Sequence, residues 1–454
     1  SPDIVAADAY AATLFGLTNT SLQKLVQDRF KRYPDLLPKN FAALEAGIRY
    51  VEEHIPDRQQ YQIPAGQPDP NVMLVSGNQA TSLGAIAAGC RFFAGYPITP
   101  ASDIMEFLAA ELPKLGGTVI QAEDEISSIC MCLGASFAGK KAMTSTSGPG
   151  FSLMVEALGL ATMAELPVVV VDAQRAGPST GMPTRHEQGD LYLAAFGGHG
   201  EVPRSVIAPT SVEDCFYQMI DAFNLAERYQ MPVIFLSDIT LAMRIESIAR
   251  PDLSKIHVEE RLLYTPNGHA DSANGYRRYQ ATPNGVSPMS IPGQPGGQYV
   301  ATGLEHNDTG RPDPRTHARM TEKRFRKLEA AAADAPPAVR YGDPGAELGI
   351  VTWGSTTGTV IEAIDRVRAK GIAVDLIAPR MLRPLPDHQL AEFLATKKTI
   401  LVPEVNYSGQ FADLLTARYK RAVVRLNTYG GFPFKVERIV RAIEEVSEGV
   451  KQHV

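Results

Sequence analysis

The sequence predicts an α/β protein in which a large parallel-sheet domain is followed by a smaller one. Three observations predict it. Apolar runs of strand length recur at Val72 to Ser76, Arg91 to Gly95, Thr118 to Ala122, Ala142 to Thr146, Pro167 to Ala173 and Pro232 to Asp238. Helical stretches such as Ala80 to Gly89, Ile126 to Ala138 and Phe151 to Ala164 lie between them. Strands that are apolar on both faces are buried on both faces, the mark of a parallel sheet covered by helices. The same alternation resumes at Leu348 to Trp353, Val374 to Ile377, Thr399 to Pro403 and Val423 to Leu426.

Composition bounds the function. With 454 residues the chain is too long for one core. Hydrophobic content of 44% and charged content of 21% describe an ordinary globular protein. A formal charge of −6 argues against nucleic acid or an anionic membrane as the main partner. No apolar run reaches the roughly 18 residues a membrane-spanning helix needs. Four cysteines, with no CxxC pair, make no disulfide framework and suit a reducing compartment, so a cytoplasmic location is expected. Cys130-Met131-Cys132, in an apolar helix, is expected to be packing. The nine scattered histidines include no HExxH, so no metal site is expected in this chain.

In chain order, residues 1–70 carry short helical patterns (Ser21 to Phe30, Phe41 to His54) and end in the loop Asp57 to Pro70. Residues 71–245 form the large sheet domain, closing near Arg244. Residues 246–345 are a connecting segment crowded with Pro, Gly, Asn and Asp (Pro283-Asn284-Gly285, residues 292–297, Pro312-Asp313-Pro314). Such a segment is either a linker or ordered by packing over a partner. The Lys/Arg run of the helical piece Arg315 to Ala333 is expected to be a solvated face. Residues 346–454 form the smaller domain.

Four pieces carry candidate chemistry, each after a strand-like run. In Gly95-Tyr96-Pro97-Ile98-Thr99-Pro100, Thr99 is expected to cap the following helix, with Pro100 at its first position. Glu125 ends the trio Glu123-Asp124-Glu125 at a helix start, where its charge favours the helix dipole whether or not it does chemistry. Ser147-Gly148-Pro149-Gly150 is either an anion cradle or a plain tight turn, and it lacks the Gly-Lys-Ser/Thr of a nucleotide loop. Arg175 opens Arg175-Ala176-Gly177-Pro178-Ser179-Thr180-Gly181-Met182-Pro183-Thr184. A guanidinium can grip a carboxylate with two parallel bonds, and the alternative is a structural ion pair.

Those four pieces, in that order and spacing, resemble the α subunit of the 2-oxoacid:ferredoxin oxidoreductases, with the 2-oxoglutarate type nearest. The resemblance runs from about Gly77 to the C-terminus. It implies a thiamine pyrimidine-binding-type domain followed by a transketolase C-terminal-like domain. It further implies that residues 1–70 are the tail of a γ-like domain, fused ahead of the α domain and truncated. Glu125 would hydrogen-bond the pyrimidine of thiamine diphosphate, with Ile98 and Thr99 also at the cofactor. Arg175, with Thr99 and Thr184, would hold the 2-oxoacid carboxylate. A distal carboxylate needs a second cation, for which Arg185 is the candidate unless it pairs with Glu187 or Asp190. Neither a Gly-Asp-Gly motif nor an iron–sulfur cysteine cluster is present, so a β subunit would bring Mg2+, the diphosphate site and a [4Fe-4S] cluster. The expected assembly is a heterotetramer, (αβ)2, using coenzyme A and ferredoxin. Pyruvate or a broader 2-oxoacid range, a transketolase-like thiamine enzyme, and a non-catalytic scaffold subunit stand as alternatives.

Overall fold

The computed structural model describes residues 2–57, 62–63, 66–67, 69–265, 276–306 and 313–449. Parts of the expected loop from Asp57 to Pro70, and Pro312, lie outside the described residues. The chain forms two compact units, Ser1–Asn71 and Val72–Val454. In the first, helices α1 (Pro2–Leu14), α2 (Thr20–Phe30) and α3 (Leu37–His54) enclose a small core of Ala9, Val26 and Leu44.

The second unit is built on a seven-stranded sheet. Its strands are β2 (Phe92–Gly95), β3 (Thr118–Gln121), β4 (Ala142–Thr146), β5 (Val168–Gln174), β6 (Ser205–Ile207), β7 (Pro232–Asp238) and β12 (Met381–Arg383), in the order β12-β6-β7-β5-β4-β2-β3. All neighbours are parallel except β12 against β6. The chain goes from β2 to one side for β3 and returns to the other side for β4. That reversal opens a crevice at the strands' carboxyl ends. Helices α4 (Gly77–Ala87), α5 (Ser102–Glu111) and α9 (Val212–Tyr229) cover one face over Val169, Val171 and Phe235. Helices α6 (Glu125–Phe137) and α7 (Gly148–Met163) cover the other over Val168, Val170 and Ile234.

One expected sheet member is placed differently. Strand β1 (Val72–Ser76) pairs antiparallel with β8 (Ile245–Ala249) in a separate two-stranded ribbon. Its exposed Val72 and Leu74 alternate with inward-facing residues, so only one side is covered. The chain also continues through β8 beyond Arg244.

The smaller sheet has the order β14-β13-β10-β11-β9, from β9 (Val339–Gly342), β10 (Leu348–Val351), β11 (Asp375–Ala378), β13 (Thr399–Glu404) and β14 (Val424–Asn427). Strand β9 is antiparallel and the rest are parallel. Because β12 leaves this region to edge the larger sheet, the two sheets share one apolar cluster, which joins Val170 and Ile234 to Trp353, Ile377 and Phe411.

Buried charges hold the described residues of the connecting segment to their own chain. Arg261 grips Glu227 of α9 with two bonds of 2.7 Å. Helix α11 (Pro314–Ala331) sends Lys323 and Lys327 to Glu165, at 2.5 and 2.9 Å, while Arg278 donates to the Glu165 carbonyl at 2.7 Å. The solvated face expected here is wrong for these residues: Lys323, Arg324 and Lys327 are all buried. A carboxylate buried beneath the segment turns an apparent surface run into an interior one.

One carboxylate serving two ammoniums titrates asymmetrically. Although burial opposes its charge, Lys327 and Lys323 hold Glu165 far below the usual carboxylate range. Burial, only partly offset by Glu165, lowers Lys327 from 10.5 to about 7. Through Lys327 the folded state binds fewer protons than the unfolded one, so this group contributes a rise of stability with pH between about 7 and 9. Above that range the buried thiols of Cys90, Cys132 and Cys215, pushed up by desolvation, act in the opposite sense. Urea titrations at intervals below the thiol range should show the rise, and Lys327→Met should flatten it. Glu165→Gln should cost about 3–5 kcal/mol by leaving the cations without their anion.

Candidate active site

The four motifs stand at the carboxyl ends of β2, β3, β4 and β5, around the reversal in strand order. After β2, the N–H groups of Ala101 and Ser102 donate to the Ile98 carbonyl at 2.8 and 3.0 Å. Asn78 donates to the Pro100 carbonyl at 2.8 Å. Pinned in this turn, the chain enters α5 only at Ser102, and Ala101 takes the cap position without a side-chain bond. Thr99 is therefore not the N-cap and Pro100 is not the first helical residue. Thr99 stands exposed and Ile98 half-buried.

After β3, Asp124 caps α6 by accepting from the Ser127 N–H at 2.7 Å. Glu125 is the next residue and is left without that duty. It is buried, at 6% exposure, and accepts no hydrogen bond among the described residues. Its carboxylate lies over Gly150 at the start of α7: a Cβ on Gly150 would sit 2.7 Å from Glu125 Cγ and would also strike the Thr146 hydroxyl. Gly148 is similarly crowded by Asp190, whose Oδ2 would be 2.7 Å from an added Cβ. The Gly-rich turn thus faces anions of its own chain, two carboxylates drawn to the N-terminus of α7.

Arg175 follows β5 and is 8% exposed. Its Nη1 donates to the Thr99 carbonyl at 2.7 Å, joining two of the motifs, while its Nε is buried without a partner. No carboxylate among the described residues stands within ion-pairing distance, so the structural ion pair weighed for it does not form. Residues 176–185 fold back on themselves, with Met182 donating to the Ala176 carbonyl and Ala176 to the Arg185 carbonyl, both at 2.9 Å. Thr184 is exposed in the returning arm. Arg185 pairs with neither Glu187 nor Asp190. Its guanidinium lies 4.8 Å above the Phe432 ring, because the 429–434 loop of the second domain reaches the site.

Sequence reasoning missed how the following segment is held. Gln188 exchanges backbone and side-chain bonds with Val405, Asn406, Trp353 and Thr356. Behind them, Glu404 accepts from the Phe411 and Ala412 N–H groups at 2.8 and 2.9 Å, and burial pushes its carboxyl up against those donors. Glu404-Val405-Asn406 is visible in the sequence, but its use depends on a contact from residue 188. His186 is buried 3.6 Å from Asp238, its ring nitrogens without hydrogen bonds. A cavity of about 730 Å³ lies away from these residues, between Arg340, His388 and Lys397. Its Arg340 and Lys397 already share Asp375, which leaves the chemistry at the strand ends.

Comparison with known proteins gives this arrangement a family. Residues 83–326 match the family model described as "Pyruvate flavodoxin/ferredoxin oxidoreductase, thiamine diP-bdg". Residues 346–446 match "Pyruvate:ferredoxin oxidoreductase core domain II". The chain belongs to the 2-oxoacid:ferredoxin oxidoreductase α-subunit family. It is 35% identical over 96% of its length to the α subunit of 2-oxoacid:ferredoxin oxidoreductase 2 of Aeropyrum pernix, covering 71% of that relative. To the 2-oxoglutarate synthase subunit KorA of Methanocaldococcus jannaschii it is 39% identical, over 82% of this chain and 99% of that one. The 2-oxoglutarate:ferredoxin oxidoreductase of Magnetococcus marinus, solved with 2-oxoglutarate, coenzyme A and succinyl-CoA bound, superposes with a TM-score of 0.85 at 40% identity. That match covers 98% of this chain and 77% of the other.

Arg175 presents a buried, unpartnered Nε at the carboxyl end of β5, where a carboxylate could be gripped. Arg175→Lys, assayed with the partner subunit, should raise the KM for 2-oxoacid and lower kcat/KM, since an ammonium cannot copy a two-toothed grip. Altered melting with intact kinetics would instead assign Arg175 a purely structural part.

Proposed function

We propose that this chain, with a β subunit, oxidises 2-oxoglutarate with coenzyme A to succinyl-CoA and carbon dioxide, passing electrons singly to ferredoxin. The observation that carries the reading is Arg175, a buried guanidinium with one arm spent on the Thr99 carbonyl and its Nε free for a carboxylate. The Magnetococcus marinus enzyme, whose structure holds this substrate and product, supports 2-oxoglutarate over pyruvate. So does Arg185, exposed and without an ion pair among the described residues, as a cation for the distal carboxylate.

Thiamine diphosphate, when bound, supplies the carbon nucleophile and the electron sink for decarboxylation. The residues present fit it. Glu125 is a buried carboxylate with no partner of its own, so it can accept the pyrimidine N1′ proton and hold it there. Gly150 keeps the approach to that carboxylate open. Ile98 and Thr99 would bound the ring from the β2 side. Arg175 and Thr99 then orient the substrate carboxylate, with Thr184 at the rim. Helix α6 and the packed turn after β2 exclude water from the buried side of Glu125.

The β subunit would supply Mg2+, the diphosphate site and a [4Fe-4S] cluster, in a cytoplasmic (αβ)2 assembly. Four free cysteines suit such a reducing compartment.

The test is kcat/KM for 2-oxoglutarate against pyruvate, read by ferredoxin reduction in the reconstituted enzyme. A preference for pyruvate would overturn the substrate assignment, and Arg185→Ala should erode the 2-oxoglutarate preference. Glu125→Gln should slow hydrogen–deuterium exchange at the cofactor C2, and with it turnover, by roughly 10²–10⁴-fold while the subunits still assemble. Unaltered exchange would return Glu125 to the helix dipole alone.

A further inference from the structure

The outer face of α6 is unlike that of a helix that meets water. After Glu125 the helix carries no charged residue as far as its end at Phe137. Its outward residues, Ile126, Cys130, Met131 and Gly134, fall at the spacing of a single helical stripe. All four are exposed, Ile126 by 48% and Met131 by 39%. Helix α11 shows the ordinary case, with Arg319, Glu322, Arg326 and Glu329 turned outward. Beside α6, Leu153 of the neighbouring α7 is half exposed. Burial, and after it Glu156 of α7, raises the Cys130 thiol, which sets that carboxylate at the margin of the stripe.

Gly134 sharpens the point. It lies in the interior of α6, where glycine weakens a helix relative to alanine. Its own chain does not require it there, because outside its own stretch of helix no atom of the described residues comes within 4 Å of an added Cβ. The use left for it is close approach by another molecule. A contiguous apolar face of this kind marks an interface.

Where the two helices begin decides what approaches. Helix α6 starts at Glu125, and the start of α7 lies against that carboxylate at Gly150. A second copy seated here would bring Glu125 no diphosphate or metal ligands, since the chain has no Gly-Asp-Gly motif. We propose that the outer face of α6 and α7 is the docking surface for the subunit that carries the diphosphate and metal half of the site. That subunit sets an apolar helical face over Ile126, Cys130 and Met131, with its backbone close to Gly134. It also sets a lysine or arginine against Glu156, which a purely apolar partner would leave unpaired at the seam. The inference rests on reading this chain as half of a two-subunit thiamine site.

Cys130 is the one exposed thiol of the four, so N-ethylmaleimide reports on this face directly. The free chain should be modified at Cys130 alone, and the complex with the β subunit about tenfold more slowly or less. Gly134→Met has open space and replaces glycine with a better helix former, so the free chain should melt no lower than wild type. The same change should weaken the complex by about 10–100-fold in Kd. Glu156→Lys should weaken it too, through like-charge repulsion. Equal labelling of free chain and complex, or undiminished assembly of Gly134→Met, would overturn the proposal. So would failure of the two subunits to associate, or a homodimer of the free chain, seen by light scattering, that protects Cys130. If the complex turns over 2-oxoacid with Cys130 still reactive, the docking surface fails and the functional reading stands. If Cys130 is protected in a complex that turns over no 2-oxoacid, the functional reading fails and the docking surface stands.

Discussion

The close approach of two carboxylates to the N-terminus of α7 is the constraint around which the site is arranged. Glu125 arrives from β3 and α6, and Asp190 from the segment after β5, yet both end against the same turn of helix. Only glycine at 148 and 150 leaves room for them. Filling that space would displace both carboxylates. A turn that reads as a phosphate cradle is instead already occupied by the chain's own acids.

Holding Asp190 in place requires the second domain. The residues before it, Gln188 and Gly189, are bonded to Val405, Asn406 and Gln410, and Glu404 braces those from behind. Strand β12 adds a covalent and hydrogen-bonded link by edging the first sheet, and Trp353 lies in the common core. Arg185, stacked on Phe432, belongs to the same seam. The smaller domain is therefore a wall of the site as well as a separate fold, which explains why the 429–434 loop ends beside residues numbered near 185.

How much of this was legible follows from what each element depends on. The parallel strands were readable because burial on both faces leaves an unbroken apolar run, as in Val168–Gln174. Strands β6 and β12 were not, being three residues long and specified by their neighbours. The positions of Glu125 and Arg175 at strand ends were visible, since they follow such runs directly. The Thr99 cap failed because bonds from Asn78 and Arg175, far away in sequence, hold the turn out of the helix. Lys323 and Lys327 look like surface charge until Glu165 is known to lie underneath. In these last two misses a long-range polar contact overrode a local rule.

Those overrides differ in a way that bears on function. At Glu165 and Arg261 the buried charges are met by donors and acceptors of the chain itself, and the result is a fastened segment. Around the carboxyl ends of β4 and β5 the accounts stay open: Ser147 Oγ, both oxygens of Asp172, Arg175 Nε, both ring nitrogens of His186 and Asp190 Oδ2 are buried without partners. Single orphans occur elsewhere, but here acids, a guanidinium and an imidazole are gathered within two strand ends and the loop that follows. A folded chain tolerates such costs where something outside it completes the bonding. Arg175 lacks an anion and Glu125 lacks a donor among the described residues, and on the function proposed above a substrate carboxylate and a pyrimidine N–H would supply them.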